Sequence, residues 1–340
     1  MPERSTKCLV VALGKSDTRM EKAFIDSLRN GTLKPLDLKF LRLEYPGITR
    51  SGDKVFMDSR KMPHSISDSL IIMSSLAKSP LTLLRINAER IAIIKQLNEL
   101  GYRVLVPDYG LTDKSVMDRV RPYARVFRAK APIAAKMGIT TEYEVSACWT
   151  RDLWQKIGGV RIKRFNGSEP NPCGEGGLSV PISNNATLVN YWLEGQPLIR
   201  ELAANGHRFY FLKDGMQLDP KLSSMFSVSL YRNNDHIDLF VGVGEGFMLV
   251  DRSYFVNNRP VLEAASEENG LDILLVPKCE SHFYPANFKP LDGNRVIVDK
   301  RAVNTIALLR QNGIDAIPTA APLNANMNCG GGIRCFVNDL

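Results

Sequence analysis

Four times along the 340-residue chain, a stretch with helical hydrophobic period runs into a glycine and then directly into an apolar, strand-like stretch. In the first copy, Asn87–Leu100 sets Ile91, Ile94 and Leu97 on one face, Gly101 follows, and Tyr102–Pro107 reads as extended. The second runs Leu198–Asn205, Gly206, His207–Leu212, and the third Val261–Asn269, Gly270, Leu271–Val276. The fourth runs Arg301–Asn312, Gly313, Ile314–Pro318. At each junction glycine takes the left-handed backbone state that stops a helix, which residues bearing a Cβ resist. Met137-Gly138-Ile139 reads as a fifth, degraded copy.

Extended segments separate these units: Val160–Phe165, Thr187–Trp192, Ile237–Val243, Phe247–Val250 and Arg295–Val298. Gly242-Val-Gly244-Glu-Gly246 falls between two of them and reads as a hairpin turn. The repeat spacing is irregular, so the pattern is not a solenoid. It suits several αβ modules closed around a common centre. No GxGxxG leads from a strand into a helix and no GxxxxGK[ST] occurs, so dinucleotide and P-loop folds lose support.

Composition adds limits. With 44% apolar and 24% charged residues the chain is a folded protein, long enough for one large domain or two ordinary ones. No apolar run is long enough to span a bilayer. The Cys8–Leu13 run after Glu3, Arg4 and Lys7 is too short for a signal-peptide core, so a cytoplasmic location is expected. Six cysteines without CxxC spacing argue against a disulfide framework. Cys279 and His282 lack a second ligand pair at finger spacing, so neither metal nor cofactor is expected. The net charge of +8 admits an acidic partner, best seen where Tyr123 and Phe127 interleave with the cations of Arg119–Lys130. Basic residues are otherwise dispersed and no nucleic-acid motif accompanies them, so a solvated basic face is the reading.

The candidate chemistry is scattered. Near the C-terminus, Gly330-Gly331-Gly332 opens the backbone to close approach, and Cys335 follows in an apolar stretch that reads as a strand. His236-Ile237-Asp238 begins another expected strand, where alternate side chains share a face and put the imidazole beside the carboxylate. Glu175 stands among Gly174, Gly176 and Gly177, and Asp152 follows Arg151 in a loop. Singly, these are a glycine turn before a buried thiol, a wet strand face, a turn carboxylate and a surface ion pair. Together they meet the demands of a guanidinium. Carboxylates hold that planar cation by its N–H groups. Its central carbon is a poor electrophile, so breaking a C–N bond there needs a strong nucleophile and a proton for the leaving amine.

The fragments Thr150-Arg151-Asp152 with Ile157-Gly158, Glu175-Gly176-Gly177, His236-Ile237-Asp238 and Gly331-Gly332-Ile333-Arg334-Cys335 resemble the guanidine-modifying superfamily. That superfamily includes arginine and agmatine deiminases, amidinotransferases and dimethylarginine hydrolases. The resemblance implies a single α/β domain over residues 1–340, a five-bladed propeller of pseudo-fivefold ββαβ modules, with 33–79 an insertion or lid. It implies Cys335 as nucleophile, His236 as general acid and base, and Glu175 as the group that orients the histidine. Asp152 and Asp238 would grip the guanidino nitrogens, and Arg334 would contact a substrate carboxylate or stand as a surface charge. The implied reaction is hydrolysis of a guanidino group through a covalent thiouronium, releasing ammonia and a ureido product such as citrulline. The alternative is amidino transfer to an amine acceptor, which Asn324-Ala325-Asn326, Arg295–Asp299 and Asp339 resemble. Arginine deiminases usually carry an arginine at the place of Gly330, and deiminases have an aspartate at the place of Leu178. Those departures shift the expected substrate from free arginine toward agmatine, an arginine derivative or peptidyl arginine. Non-catalytic ribosome-binding proteins share the implied fold, and joint retention of Cys335, His236, Asp152, Glu175 and Asp238 argues against that role. No membrane or nucleic-acid partner is expected, and assembly into a homo-oligomer is compatible with the sequence.

Overall fold

The computed structural model describes residues 7–13, 48–51, 54–57, 80–108, 110, 112–129, 154–163, 165–166, 169–174, 176–213, 236–323 and 331–339. One motif recurs through them: an antiparallel strand pair, a helix, and a third strand laid parallel to the second. It appears as Ser179–Ser183, Ala186–Asn190, helix Pro197–Ala204 and Arg208–Leu212. It recurs as Val241–Gly244, Phe247–Asp251, helix Arg252–Asn269 and Asp272–Val276. It recurs again as Lys289–Pro290, Arg295–Val298, helix Val303–Gln311 and Asp315–Pro318. A fourth copy joins the two ends of the chain. Val337–Asp339 pairs antiparallel with Cys8–Val11, and helix Pro80–Glu99 leads to Arg103–Asp108, parallel to Cys8–Val11.

All four expected helix–glycine–strand junctions are present, with Gly101, Gly206, Gly270 and Gly313 at φ of 90°, 88°, 62° and 76°. The Met137-Gly138-Ile139 copy lies outside the described residues. Helix boundaries differ from expectation. The first helix starts at Pro80, and its buried stripe is Ile86, Arg90, Ile93, Ile94 and Leu97, leaving Ile91 only partly covered. The third starts at Arg252, nine residues early, and crosses Pro260 through a kink at Asn258. A proline removes an N–H from the helix ladder. Here the Asn258 side chain supplies bonds at the kink, donating to the carbonyls of Lys213 and Tyr254 and accepting from the Lys213 N–H.

Each buried cluster joins neighbouring copies of the motif. Val180, Leu188 and Tyr210 pack with Val241, Met248 and Leu262. Phe247, Leu249 and Val276 pack with Phe288, Val296 and Ile306. Ile297 joins the terminal copy through Val104, Val106 and Phe336. A fifth antiparallel pair, Trp154–Ile157 with Val160–Lys163, packs on the first copy through Ile157, Ile162, Leu178 and Val189. It also meets the C-terminal strand, where Asn338 Nδ2 donates to the Trp154 carbonyl at 3.1 Å.

Three extended segments are corrected. Ile237–Leu239 is a 3₁₀ turn, and the strand begins only at Val241. The Thr187–Trp192 strand stops at Asn190, whose side chain caps a 3₁₀ turn over Tyr191–Leu193. Cys335 stands in a one-turn helix, Ile333–Phe336, immediately before the strand expected to contain it. Within 33–79 the described residues are the hairpin Ile48–Ser51 with Lys54–Met57.

Candidate active site

The one-turn helix carrying Cys335 is fixed from several sides. The Phe336 carbonyl accepts the Ala12 N–H at 3.0 Å, which ties the turn to the first strand. The Arg90 guanidinium lies 4.7 Å over the Phe336 ring while its Nη1 donates to the Ala12 carbonyl. Four residues beyond the thiol, Asp339 accepts Lys289 Nζ at 2.6 Å and Lys7 Nζ at 3.3 Å. Burial drives the Lys289 amine down to about 8, only partly opposed by the Asp339 carboxylate. Burial works to raise Asp339, but Lys289 and Lys7 outweigh it and hold that carboxyl well below its usual range.

Cys335 itself is 3% exposed and Asp238 is fully buried. The thiol sulfur lies 3.9 Å from Asp238 Oδ2. The convergence does not arise from a shared strand face. His236 is the extended residue that precedes the 3₁₀ turn Ile237–Leu239 and Asp238 lies within that turn, so the two do not stand on one face of a strand. Asp238 turns toward Cys335, and His236, which begins the turn, lies against Gly177. A Cβ on Gly177 would stand 2.2 Å from His236 Nδ1, so glycine there leaves room for the ring. Ile237 and Leu239 are buried.

Arg334 is 6% exposed, which removes the surface-charge reading. Its positive charge bears on Lys289, and its backbone N–H is held by Asn287. Asp152 and Glu175 lie outside the described residues. So do Gly330 and the Asn324-Ala325-Asn326 run. Leu178 packs against Ile157, Ile162 and Val189 in the core.

Asn287 is the residue that the sequence did not single out. Its Nδ2 donates to the Asp238 carbonyl at 2.9 Å and lies 3.4 Å from the Cys335 sulfur. Its Oδ1 accepts the Arg334 N–H at 3.0 Å. Gly332 lies so near that an added Cβ would stand 2.5 Å from that oxygen. The chain reaches Asn287 through Tyr284, the one non-glycine residue at positive φ among the described residues. The Tyr284 carbonyl accepts the Asn287 N–H at 2.9 Å. Strained backbone of this kind persists where surrounding structure imposes it, often near working sites.

Among the described residues, no group of three His, Cys, Asp or Glu side chains is arranged to hold a metal ion. Among them, too, no helix is long and apolar enough to cross a membrane. Within the basic stretch, Arg121 pairs with Asp118 at 3.1 Å and Lys95 lies over the Tyr123 ring.

No family model matches the chain, and no curated protein matches it by sequence. Solved structures do. A dimethylarginine dimethylaminohydrolase variant, an adduct with S-methyl-L-thiocitrulline, matches at a TM-score of 0.50 and 11% identity, over 98% of this chain and 99% of that one. The C. jejuni agmatine deiminase with substrate bound matches at 0.49 and 13%, over 76% and 88%. An amidinotransferase of saxitoxin biosynthesis from Microseira wollei matches at 0.45 and 12%, over 99% and 94%. All three are guanidino-modifying enzymes, the superfamily that the motifs resemble. The chain shares the α/β fold of the first.

Proposed function

We propose, from the fold shared with dimethylarginine dimethylaminohydrolase, that this chain hydrolyses a guanidino group through a covalent intermediate on Cys335. The observation that carries the reading is the 3.9 Å separation of the Cys335 sulfur from the buried Asp238 carboxylate. A thiolate and a carboxylate at about 4 Å repel by about 4 kcal/mol at an effective dielectric of ~20. A flat cation relieves that repulsion. A guanidinium whose N–H groups are taken by Asp238 brings its carbon within about 3–3.5 Å of the sulfur, the distance of a near-attack arrangement.

The steps follow from that placement. The Cys335 thiolate adds to the guanidino carbon, and the resulting tetrahedral adduct expels an amine that takes its proton from His236. A thiouronium remains on the sulfur. Water, giving its proton to His236, adds to the same carbon, and the C–S bond breaks to release a ureido product and free Cys335. Glu175 orients the imidazole, and Asp152 takes the guanidino nitrogens opposite Asp238. These two roles are carried by the motif resemblance.

The same reading makes the fold a five-bladed α/β propeller in one domain, with 33–79 an insertion or lid. The four copies of the ββαβ motif and the Trp154–Lys163 hairpin support it, as does that hairpin's contact with both neighbours. Leu178, packed in the core where deiminases carry an aspartate, supports a substrate other than free arginine. Agmatine, a substituted arginine or peptidyl arginine is the expected substrate class.

The experiment is a panel assay with arginine, agmatine, guanidinoacetate and a peptidyl arginine, each with and without glycine as acceptor. Ammonia or an alkylamine with a ureido product is the expected outcome. A new guanidino compound that forms only with the acceptor assigns amidino transfer instead. Failure of every guanidine to turn over refutes the enzyme reading.

A further inference from the structure

We infer that Asn287 is a catalytic residue: its side-chain amide donates to the Cys335 sulfur and stabilises the thiolate, while its carbonyl sets the nucleophile's position. The inference rests on the reading of Cys335 as nucleophile and adds a residue to it.

The partners fix the amide's orientation. The Arg334 backbone N–H can only donate, so it must face Oδ1 at 3.0 Å. The Asp238 carbonyl can only accept, so it must face Nδ2 at 2.9 Å. One N–H remains, and the Cys335 sulfur lies 3.4 Å from that nitrogen. As a thiol, Cys335 has acceptors for its own proton in Asn287 Oδ1 at 3.7 Å and Asp238 Oδ2 at 3.9 Å. As a thiolate it only accepts. Asp238 then becomes a repelling neighbour, and the Asn287 N–H is a donor already aimed at the charge. A hydrogen bond to the charged form favours that form.

The same side chain ties three parts of the site together. It links the turn carrying Asp238 to the turn carrying Cys335, from the segment that Tyr284 delivers. This also explains Gly332, whose φ of −102° is open to any residue. Its constraint is space, since a methyl there would meet Asn287 Oδ1 at 2.5 Å and Cγ at 3.0 Å. Gly332 thus makes room for an asparagine.

The test reads thiolate directly. Ultraviolet thiolate absorbance is titrated against pH for the parent and each variant, subtracting the same protein carrying Cys335→Ala. In Asn287→Ala the Cys335 midpoint is expected to move up by about one pH unit, roughly tenfold less thiolate at a given pH. Gly332→Ala is expected to move it the same way by displacing the asparagine. Asn287→Asp keeps the shape and removes the donor, and it decides the matter should Asn287→Ala lose its cooperative melting transition. An unchanged midpoint in folded Asn287→Ala, or in folded Asn287→Asp where the alanine variant does not fold, overturns the inference. A shifted midpoint supports it even in a parent that turns over no guanidine, in which case only the proposed function fails. A parent active on guanidines whose variants titrate unchanged removes the Asn287 role alone.

Discussion

Replacing Gly177 with alanine tests whether His236 must sit where it does. The added Cβ would stand 2.2 Å from Nδ1, 2.4 Å from Cγ and 2.7 Å from Cε1 of the imidazole. Ordinary contact begins at 3.4 Å, so the ring must retreat by about 1.2 Å. Turning the ring about χ2 does not relieve this, because Cγ stays in place 2.4 Å away, and a change of χ1 would carry the whole ring off its present position. The backbone has little room to follow, since Ile237 and Leu239 on the next positions are buried. Overpacking of this kind costs about 1–3 kcal/mol of stability. A misplacement near 1 Å costs on the order of 10²-fold in rate. Initial rates on the best guanidine from the panel, with a thermal melt of the same sample, measure both. The expectation is a folded variant, slower by about two orders of magnitude, whose Cys335 thiolate titration matches the parent. A folded variant with turnover within about twofold of the parent refutes the placement of His236 in the reaction.

Three further outcomes are expected. Cys173→Ala should keep full activity, because burial pushes that thiol up to about 11, where it is inert as a nucleophile at neutral pH; loss of activity in a folded variant contradicts this. Glu280→Gln should lower stability by about 1–3 kcal/mol in chemical denaturation. Its buried carboxylate takes the N–H groups of Asn304 and Thr305 and the Thr305 hydroxyl at the start of a helix, and the amide lacks one of the acceptor oxygens. For Asp339, the pairing with Lys289 and Lys7 gives stability that is fully present above the usual carboxyl value of 3.8 and is lost as pH falls below it. Asp339→Asn should therefore melt lower than the parent near neutral pH, with a gap that narrows in acid; a gap constant across pH counts against the ion pair.

The parts legible in sequence were those with a local cause. Gly101, Gly206, Gly270 and Gly313 mark helix ends because left-handed backbone has a one-residue signature, and all four occur. The turn at His236-Ile237-Asp238 was not legible as a turn. Residues 237–239 are all buried, so no alternation of exposed and covered positions separates strand from 3₁₀ turn there. The third helix was expected only from Val261, since the side chain that bridges the break before it, Asn258, finds its partner at Lys213, 45 residues away. Asn287 acts on a cysteine 48 residues later, and Glu280 caps a helix 24 residues later. Neither has a neighbour in sequence that announces its task. Cys335 stood out as a candidate because glycines beside a cysteine are a local pattern, although the close neighbour that Gly332 admits is an asparagine.

The covalent bond to Cys335 is the claim on which the account stands. The parent and a His236→Ala variant, which should accumulate the intermediate, are mixed with the best guanidine, quenched in acid, and read by intact mass and peptide mapping. The account expects an amidino-type adduct on the peptide containing Cys335, more abundant in His236→Ala and absent from Cys335→Ala. Turnover with no adduct on any cysteine, or an adduct that persists in Cys335→Ala, contradicts it.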